Sequence, residues 1–505
     1  MLCECFATGN NFVYFPRNLL KNHTDWIVFI PDILFLHIYT TGTQRASISE
    51  GRMEKGKAPC PRRAQIQRLL AAHYYGVRRK SFIRYMESKD CVFDETHTSV
   101  YQDMDQPLSH YFISSSHNTY LTGDQLVGKS HLDAYMHALI EGCRCIEIDC
   151  WDGPDMEPIV HHGYTLTTKL LFKDVITTVE HHAFEVSPYP VILSLENHCS
   201  KEQQEVMAKY LISILGEKLL RSPLDQPTTG DLPSPNHKKK VEVAEALSDL
   251  VVYTRSVKFI SFTHSKDKQK YSDNTSMEEK KARKLAKASG ADFVQHTQKF
   301  LSRIYPAARR MTSSNPNPQE FWNVGSQLVA LNFQTLGLPM DLNNGRFQDN
   351  GGCGYVLKPA VLMSSQRSFD PSCSQRGVEP TVLMIKVIHG SNLPIPSSGK
   401  PLGSFVRVEI HGIASDLCTK STCTVKNNYL CPQWDTTIKF SISVPELCLI
   451  RFCVRQPTGF LSSNFVGQYT LPFTSLKTGY SWVPLRSRDG GSLDPASLFV
   501  YVCCE

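Results

Sequence analysis

The chain has 505 residues, 41% of them hydrophobic, enough to bury two or three sizeable cores. Its formal net charge of +6 is modest, and its basic runs are not interleaved with aromatic stacking platforms, which argues against nucleic acid as a partner. Seventeen cysteines without regular spacing read as reduced thiols, which excludes a small disulfide scaffold and points to an intracellular protein.

Residues 1–62 carry no interpretable motif. Within them, residues 26–39 form an apolar stretch broken by Pro31, Asp32 and His37. It is too short to span a bilayer and lacks the cleavage site of a signal peptide, so buried packing is expected. The run Tyr111, Phe112, Ile113 then leads into His117 and Asn118. A helical stretch over residues 129–142 follows, then a strand in which Glu147 and Asp149 share one face and Ile146 and Ile148 the other. His162 comes next, with His161 facing elsewhere, then a helix over 168–185, an apolar strand ending in Glu196, and a helix over 201–220. Such alternation predicts parallel strands with helical crossovers, and polar residues at the strands' carboxyl ends predict a barrel of the triosephosphate isomerase type.

Two carboxylates on one strand face repel unless a cation lies between them. A hard, oxygen-seeking ion such as calcium answers that need, with Asn118 and Glu196 as further oxygen ligands, whereas zinc lacks a nitrogen or sulfur set of suitable spacing. His117 and His162 can move protons and meet phosphoryl oxygens. Each residue alone reads as a cap, a turn or a solvated charge; together they are the parts of a calcium-assisted phosphodiester-cleaving site. Further on, Ser276 with Glu279 three residues later reads as a capping box opening a helix to Ser289, whose start could also present donors to phosphate. Short strands over 381–387, 405–410, 450–454 and 497–502, separated by Gly, Pro and Ser, predict a β-sandwich.

Residues 114–121, 142–153 and 193–199 resemble the X region of eukaryotic phosphoinositide-specific phospholipase C, and residues 301–306 and 350–359 its Y region. The sandwich resembles a C2 domain. The resemblance covers about four fifths of the chain and implies a split (β/α) barrel followed by a C2 sandwich and preceded by an EF-hand-like remnant. It makes Asn118, Glu147, Asp149 and Glu196 calcium ligands that hold the inositol 2-hydroxyl, with Glu147 or Glu196 taking its proton. His117 would stabilise charge on the phosphoryl oxygens, and His162 would protonate the departing diacylglycerol oxygen. Ser276, Arg303 and Tyr305 would hold the inositol ring and its phosphates. The implied reaction is calcium-dependent hydrolysis of phosphatidylinositol 4,5-bisphosphate to inositol 1,4,5-trisphosphate and diacylglycerol through a cyclic phosphate, driving intracellular calcium release.

Several features depart from the family pattern. After residues 232–235 the family has a barrel strand whose lysines read the 4- and 5-phosphates; here residues 236–240 lead at once into 241–250, so one strand and most of the linker are missing. Either residues 238–242 enter the gap, or the lysine run is a solvated remnant of a basic linker, which is the preferred reading; a coding segment skipped near Pro235 explains the gap equally well. A barrel lacking a strand has two open edges, so a weak or dead phosphoinositide-binding scaffold is the alternative function. Residues before His117 are too few for a pleckstrin-homology domain and four EF-hands, and residues 64–100 resemble the tail of an EF-hand lobe without a calcium loop. The C2 loops over 394–403 and 456–464 contain no carboxylate, which implies a calcium-independent module. Leu126, Tyr164 and Leu166 keep the apolar rim of the family, whereas Arg283 and Arg309 stand where apolar residues are common, so membrane attachment is expected to lean on charge.

The division implied is 1–62 unassigned, 63–98 EF-hand remnant, 99–236 X half, 237–246 basic linker, 247–365 Y half and 366–505 C2 domain. The expected lack of a pleckstrin-homology domain, the lysine-rich linker remnant, the carboxylate-poor C2 domain and residues 465–472 resemble the sperm-type zeta members first and the delta type second, which implies a role in egg activation at fertilisation. The expected partner is a phosphoinositide-containing membrane surface; no nucleic acid or protein partner is indicated, and a monomer is expected. The expected location is cytoplasmic and peripheral at membranes, with the nucleus as an alternative.

Overall fold

Seven segments form parallel strands, some apolar and others, such as β4 and β5, polar: β1 (Tyr111–Ser116), β2 (Cys145–Trp151), β3 (Val191–His198), β4 (Arg255–Ser256), β5 (Asp273–Glu278), β6 (Leu301–Tyr305) and β7 (Leu328–Leu331). Their spatial order is β4-β5-β6-β7-β1-β2-β3. The computed structural model describes residues 90–220, 247, 255–364, 369–373, 379–394, 403–426, 428, 430–458 and 462–505, and the backbone of strands Tyr14–Pro16, Trp26–Val28 and Leu34–Ile38.

The crossover helices are Leu132–Ile140 between β1 and β2, Phe172–His182 between β2 and β3, and Glu279–Ala288 with Gly290–Lys299 between β5 and β6. Helix Lys201–Leu215 follows β3 and starts at Ser200, whose hydroxyl accepts from the Gln203 N–H. These helices are shorter than the periodicity suggests, because turns and caps such as His131 and Gly142, with φ 83, take the flanking residues. Ile146, Ile148, Leu193 and Leu195 are buried with Val175, Ile176, Val179 and Leu211 in one core. Full burial of one such side chain contributes about 1.5–3 kcal/mol. Facing the helices with these apolar residues leaves the alternate positions, Glu147 and Asp149 among them, for the barrel interior.

Among the described residues β3 and β4 are not paired, and residues 221–246 and 248–254, which precede β4, lie outside the described residues. Strand Leu34–Ile38 runs antiparallel along the open edge of β3, from Leu34 opposite Leu195 to Ile38 opposite Val191. Residues 34–38, part of the stretch expected to pack against the fold, thus supply backbone partners to an edge that would otherwise expose unpaired N–H and C=O groups. The lysine run at 238–242 lies outside the described residues, as does the EF-hand-like stretch from 64 to 89.

The chain divides into two compact units, Met1–Thr43 with Thr98–Ser374, and Gln44–His97 with Gln375–Glu505. The second unit is an eight-stranded antiparallel sandwich from Thr381–Ser391 to Ser492–Cys504. Residues 90–94 run along it, with Val92 N–H donating to Trp482 O and Trp482 N–H to Asp90 O. The two carboxylate-free loops fall partly outside the described residues.

Candidate active site

Strands β2 and β3 lie in register with Asp149 opposite Glu196, and Glu147 is two residues before Asp149 on the same face. Oxygens of Glu147, Asp149 and Glu196 consequently lie within 4.8 Å of one another. Glu147 is buried, with Oε1 2.6 Å from Arg303 Nη2 and Oε2 accepting from the Asn118 N–H at 2.8 Å. Burial alone would raise its pKa, but the Arg303 guanidinium and then His117 hold the carboxyl below its ordinary range. Asp149 goes the other way: burial, then the charges of Glu196 and Glu147, push its carboxyl well above the usual value. Tyr120 OH donates to Asp149 Oδ2 at 2.6 Å, while Oδ1 is buried without a hydrogen-bond partner. Three carboxylates around a single guanidinium leave negative charge uncompensated, and an orphaned buried oxygen completes a donor set of oxygens that can hold a divalent cation.

Around this cluster stand the other residues singled out from sequence. Asn118 adopts a left-handed conformation, φ 41, which lets its backbone N–H reach Glu147. Its Nδ2 donates to Gln125 Oε1 at 2.8 Å, leaving Oδ1 as the ligating end. His117 continues from β1, and burial lowers its pKa. Its Nδ1 lies 2.9 Å from Asn332 Oδ1, and His162 Nδ1 lies 2.7 Å from the Gln125 carbonyl. Both partners are oxygens that accept, so each neutral ring carries its proton on Nδ1 and leaves Nε2 bare. Glu196 accepts from His198 Nε2 at 2.8 Å, a ring stacked at 4.0 Å on Trp151.

The capping reading of Ser276 is corrected. Ser276 lies inside β5 opposite Arg303 of β6, and the helix begins at Glu279 with Glu278 as a cap that makes no side-chain bond. Strand pairing overrides the local pattern because β5 is held by neighbours on both edges. Ser276 Oγ is buried without a partner. Tyr305, two residues beyond Arg303, has its ring centroid 5.6 Å from the guanidinium carbon. Ser276, Arg303 and Tyr305 therefore form one wall that meets the acid cluster through Arg303.

Glu279 instead clamps the loop after β6. Its buried carboxylate accepts from the Ala307 N–H, from Arg310 and from Arg283 Nη2, and Arg283 also binds Glu320. Arg283 is thus no exposed cation for a lipid surface, a second correction; Arg309 remains exposed. Burial opposes the charge on Glu279, but its hydrogen bonds to Arg310 and Ala307 bring the pKa down to about 2. A folded pKa below the unfolded 4.5 stabilises the protein above pH 4.5, and this contribution fades as the pH falls toward 2. Glu279→Gln is expected to lose about 2–3 kcal/mol at pH 7 and little near pH 2, read from denaturant melts at both.

Tyr120, Gln125 and Asn332 were not anticipated. Tyr120 sits within the motif that carries His117, but nothing local marks Gln125, whose partners Asn118 and His162 are nearer in sequence and Ser313 and Asn332 about two hundred residues away, or Asn332, whose partners His117 and Gln125 are as distant.

Residues 104–243 match the X domain of phosphatidylinositol-specific phospholipase C, residues 247–361 its Y domain, and residues 381–485 the C2 domain. The chain is 47% identical over 490 residues to human 1-phosphatidylinositol 4,5-bisphosphate phosphodiesterase zeta-1, covering 86% of this chain and 80% of that protein. The chain belongs to the phosphatidylinositol-specific phospholipase C family. Human 1-phosphatidylinositol 4,5-bisphosphate phosphodiesterase delta-4 is 44% identical over 486 residues, covering 84% of this phospholipase C chain and 64% of that protein, in keeping with zeta-type likeness first and delta-type second. The crystal structure of L. pealei PLC21 superposes with a TM-score of 0.74 at 37% identity, covering 82% of this chain and 57% of that one. The chain thus spans little more than half of that solved chain, and its seven parallel strands and sandwich are the family's barrel and C2 fold.

Proposed function

We propose that this chain hydrolyses phosphatidylinositol 4,5-bisphosphate to inositol 1,4,5-trisphosphate and diacylglycerol, with calcium held by Asn118, Glu147, Asp149 and Glu196. The observation that carries the reading is the convergence of three carboxylates from adjacent strands within 4.8 Å, beside an arginine that faces the head-group wall. Calcium, when bound, supplies Lewis acidity that lowers the pKa of the inositol 2-hydroxyl. Glu147, held ionised by Arg303, or Glu196 takes the hydroxyl proton. His117 Nε2 is the end left to meet the phosphoryl oxygens, because Asn332 anchors the other nitrogen, and it stabilises their charge as an N–H donor when the ring is doubly protonated. His162, when doubly protonated, gives its Nε2 proton to the departing diacylglycerol oxygen, and the neutral ring left behind, still protonated on Nδ1, then takes one at Nε2 from the water that opens the cyclic phosphate. Ser276 and Arg303 offer donors to ring phosphates, and Tyr305 offers a face for the ring to stack on.

Membrane contact is supported by one exposed rim. Leu126, Tyr164 and Leu166 are 46%, 88% and 83% exposed, and the Leu166 N–H donates to Leu126 O at 2.8 Å. Exposed apolar side chains, with Leu126 next in the chain to the Gln125 that binds Asn118, suit a peripheral enzyme acting on lipid, and Lys280, Lys284 and Arg309 add exposed positive charge for anionic head groups. No helix among the described residues is long and apolar enough to cross a membrane. Buried free thiols such as Cys143, Cys145, Cys150 and Cys353 fit the reducing cytoplasm. A zeta-type enzyme would use its trisphosphate to release stored calcium in the egg at fertilisation.

The lack of pairing between β3 and β4 among the described residues favours a second reading, a lipid-binding scaffold with little turnover. Vesicles containing phosphatidylinositol 4,5-bisphosphate decide between them. The enzyme releases inositol trisphosphate at micromolar free calcium and stops when a chelator is added; binding without release at any calcium concentration leaves the scaffold.

A further inference from the structure

We propose that Gln125 is a positioning residue that orients Asn118, His117 and His162 together, a proposal that rests on the phospholipase reading above. Gln125 is buried, and both ends of its amide are engaged. Oε1 accepts from Asn118 Nδ2 at 2.8 Å, while Nε2 donates to Ser313 Oγ at 2.8 Å and to Asn332 Oδ1 at 3.2 Å. Asn332 Oδ1 in turn accepts from His117 Nδ1. The main chain of the same residue completes the set: its carbonyl accepts from His162 Nδ1, and its N–H donates to Met311 O at 2.8 Å.

Each contact has a chemical consequence. An amide whose nitrogen is bound to Gln125 turns its oxygen away, so the Asn118 oxygen is pre-set as a ligand and no rotamer need be selected when the ion arrives. Both imidazoles are fixed in the tautomer that leaves Nε2 for substrate, His162 directly and His117 through Asn332. The loop that supplies these contacts is stiff. Asp124 Oδ1 accepts from the Leu126 and Val127 N–H groups, and a Cβ at Gly128 would lie 2.2 Å from Asp124 O. Leu126, the next residue in the chain, is on the exposed rim. The side chain offered to lipid and the amide that orders the site are therefore neighbours on one rigid turn.

Gln125→Met keeps volume and removes both amide ends. Its calcium affinity, measured by calorimetry, is expected to fall about tenfold or more, with kcat on a soluble phosphoinositide falling at least as far and KM within about twofold. Asn332→Ala breaks only the His117 branch; its kcat is expected to fall about tenfold while calcium affinity stays within about twofold of wild type. A merely structural role would lower thermal midpoints and the active fraction without separating the two variants in this way. Wild-type affinity and kcat in Gln125→Met overturn the proposal, and should that variant not fold, wild-type kcat in Asn332→Ala overturns it. A wild type that binds calcium yet releases no trisphosphate sinks the phospholipase reading alone, since the calcium measurement still decides the role of Gln125. A wild type that binds no calcium overturns both.

Discussion

His162→Ala is expected to lower the release of inositol trisphosphate about a thousandfold, with calcium affinity and thermal midpoint at wild-type values. The ring is half-buried and held by a single side-chain bond to the Gln125 carbonyl, with no place in the apolar core, so its loss leaves packing intact. That bond keeps Nδ1 protonated and fixes the direction of Nε2, and alanine removes the group that would protonate the leaving oxygen. Proton transfer by a placed side chain contributes about 10²–10⁴-fold in rate, and the same ring serves both steps of the reaction, so the middle of that range is a conservative expectation. Vesicle binding should be unchanged, because the rim residues Leu126, Tyr164 and Leu166 are untouched. Equal turnover by His162→Ala and wild type would remove the histidine from the chemistry.

Glu147 and Asp149 were legible because a two-residue period needs no distant information, and both sit where the strand reading puts them. Ser276 was misread for the converse reason. Ser-x-x-Glu is a local signal, and pairing of β5 with both neighbours is a non-local one that wins once the sheet forms. Its Glu279 is used, but for Arg310 and the Ala307 N–H rather than for a cap. The Asn332 contacts with His117 and Gln125 span about two hundred residues and could not be inferred from spacing. Residues 26–39 were read as packing material; the antiparallel pairing of Leu34–Ile38 with β3 depends on a strand edge formed by distant residues and not on residues 34–38 alone.

Asp149→Asn should separate function from stability with opposite signs. In the calcium-free protein Asp149 stands among Glu147 and Glu196 with one oxygen buried and unpartnered, and burial and those two charges raise its pKa well above 3.8. The unfolded carboxyl ionises near 3.8 while the folded one resists, so this group lowers the stability of the calcium-free protein as the pH rises from 3.8 through the folded pKa. Asparagine keeps the shape, retains an oxygen toward Tyr120 and carries no charge. Calcium-free Asp149→Asn is therefore expected to be about 1 kcal/mol or more stabler than wild type at pH 8, with a smaller gain at pH 5. With calcium the order reverses, because the wild type gains an ion that the variant binds weakly, and stabilisation follows the ratio of ion concentration to dissociation constant. Turnover should drop about a thousandfold, since losing a charged ligand weakens both the hold on the ion and the field at the 2-hydroxyl. Thermal melts with chelator and with calcium, at both pH values, read these signs. A calcium-free Asp149→Asn that melts below wild type at pH 8 would mean that Tyr120 and the barrel wall already compensate the carboxylate, and that its placement is structural and not held in readiness for a cation.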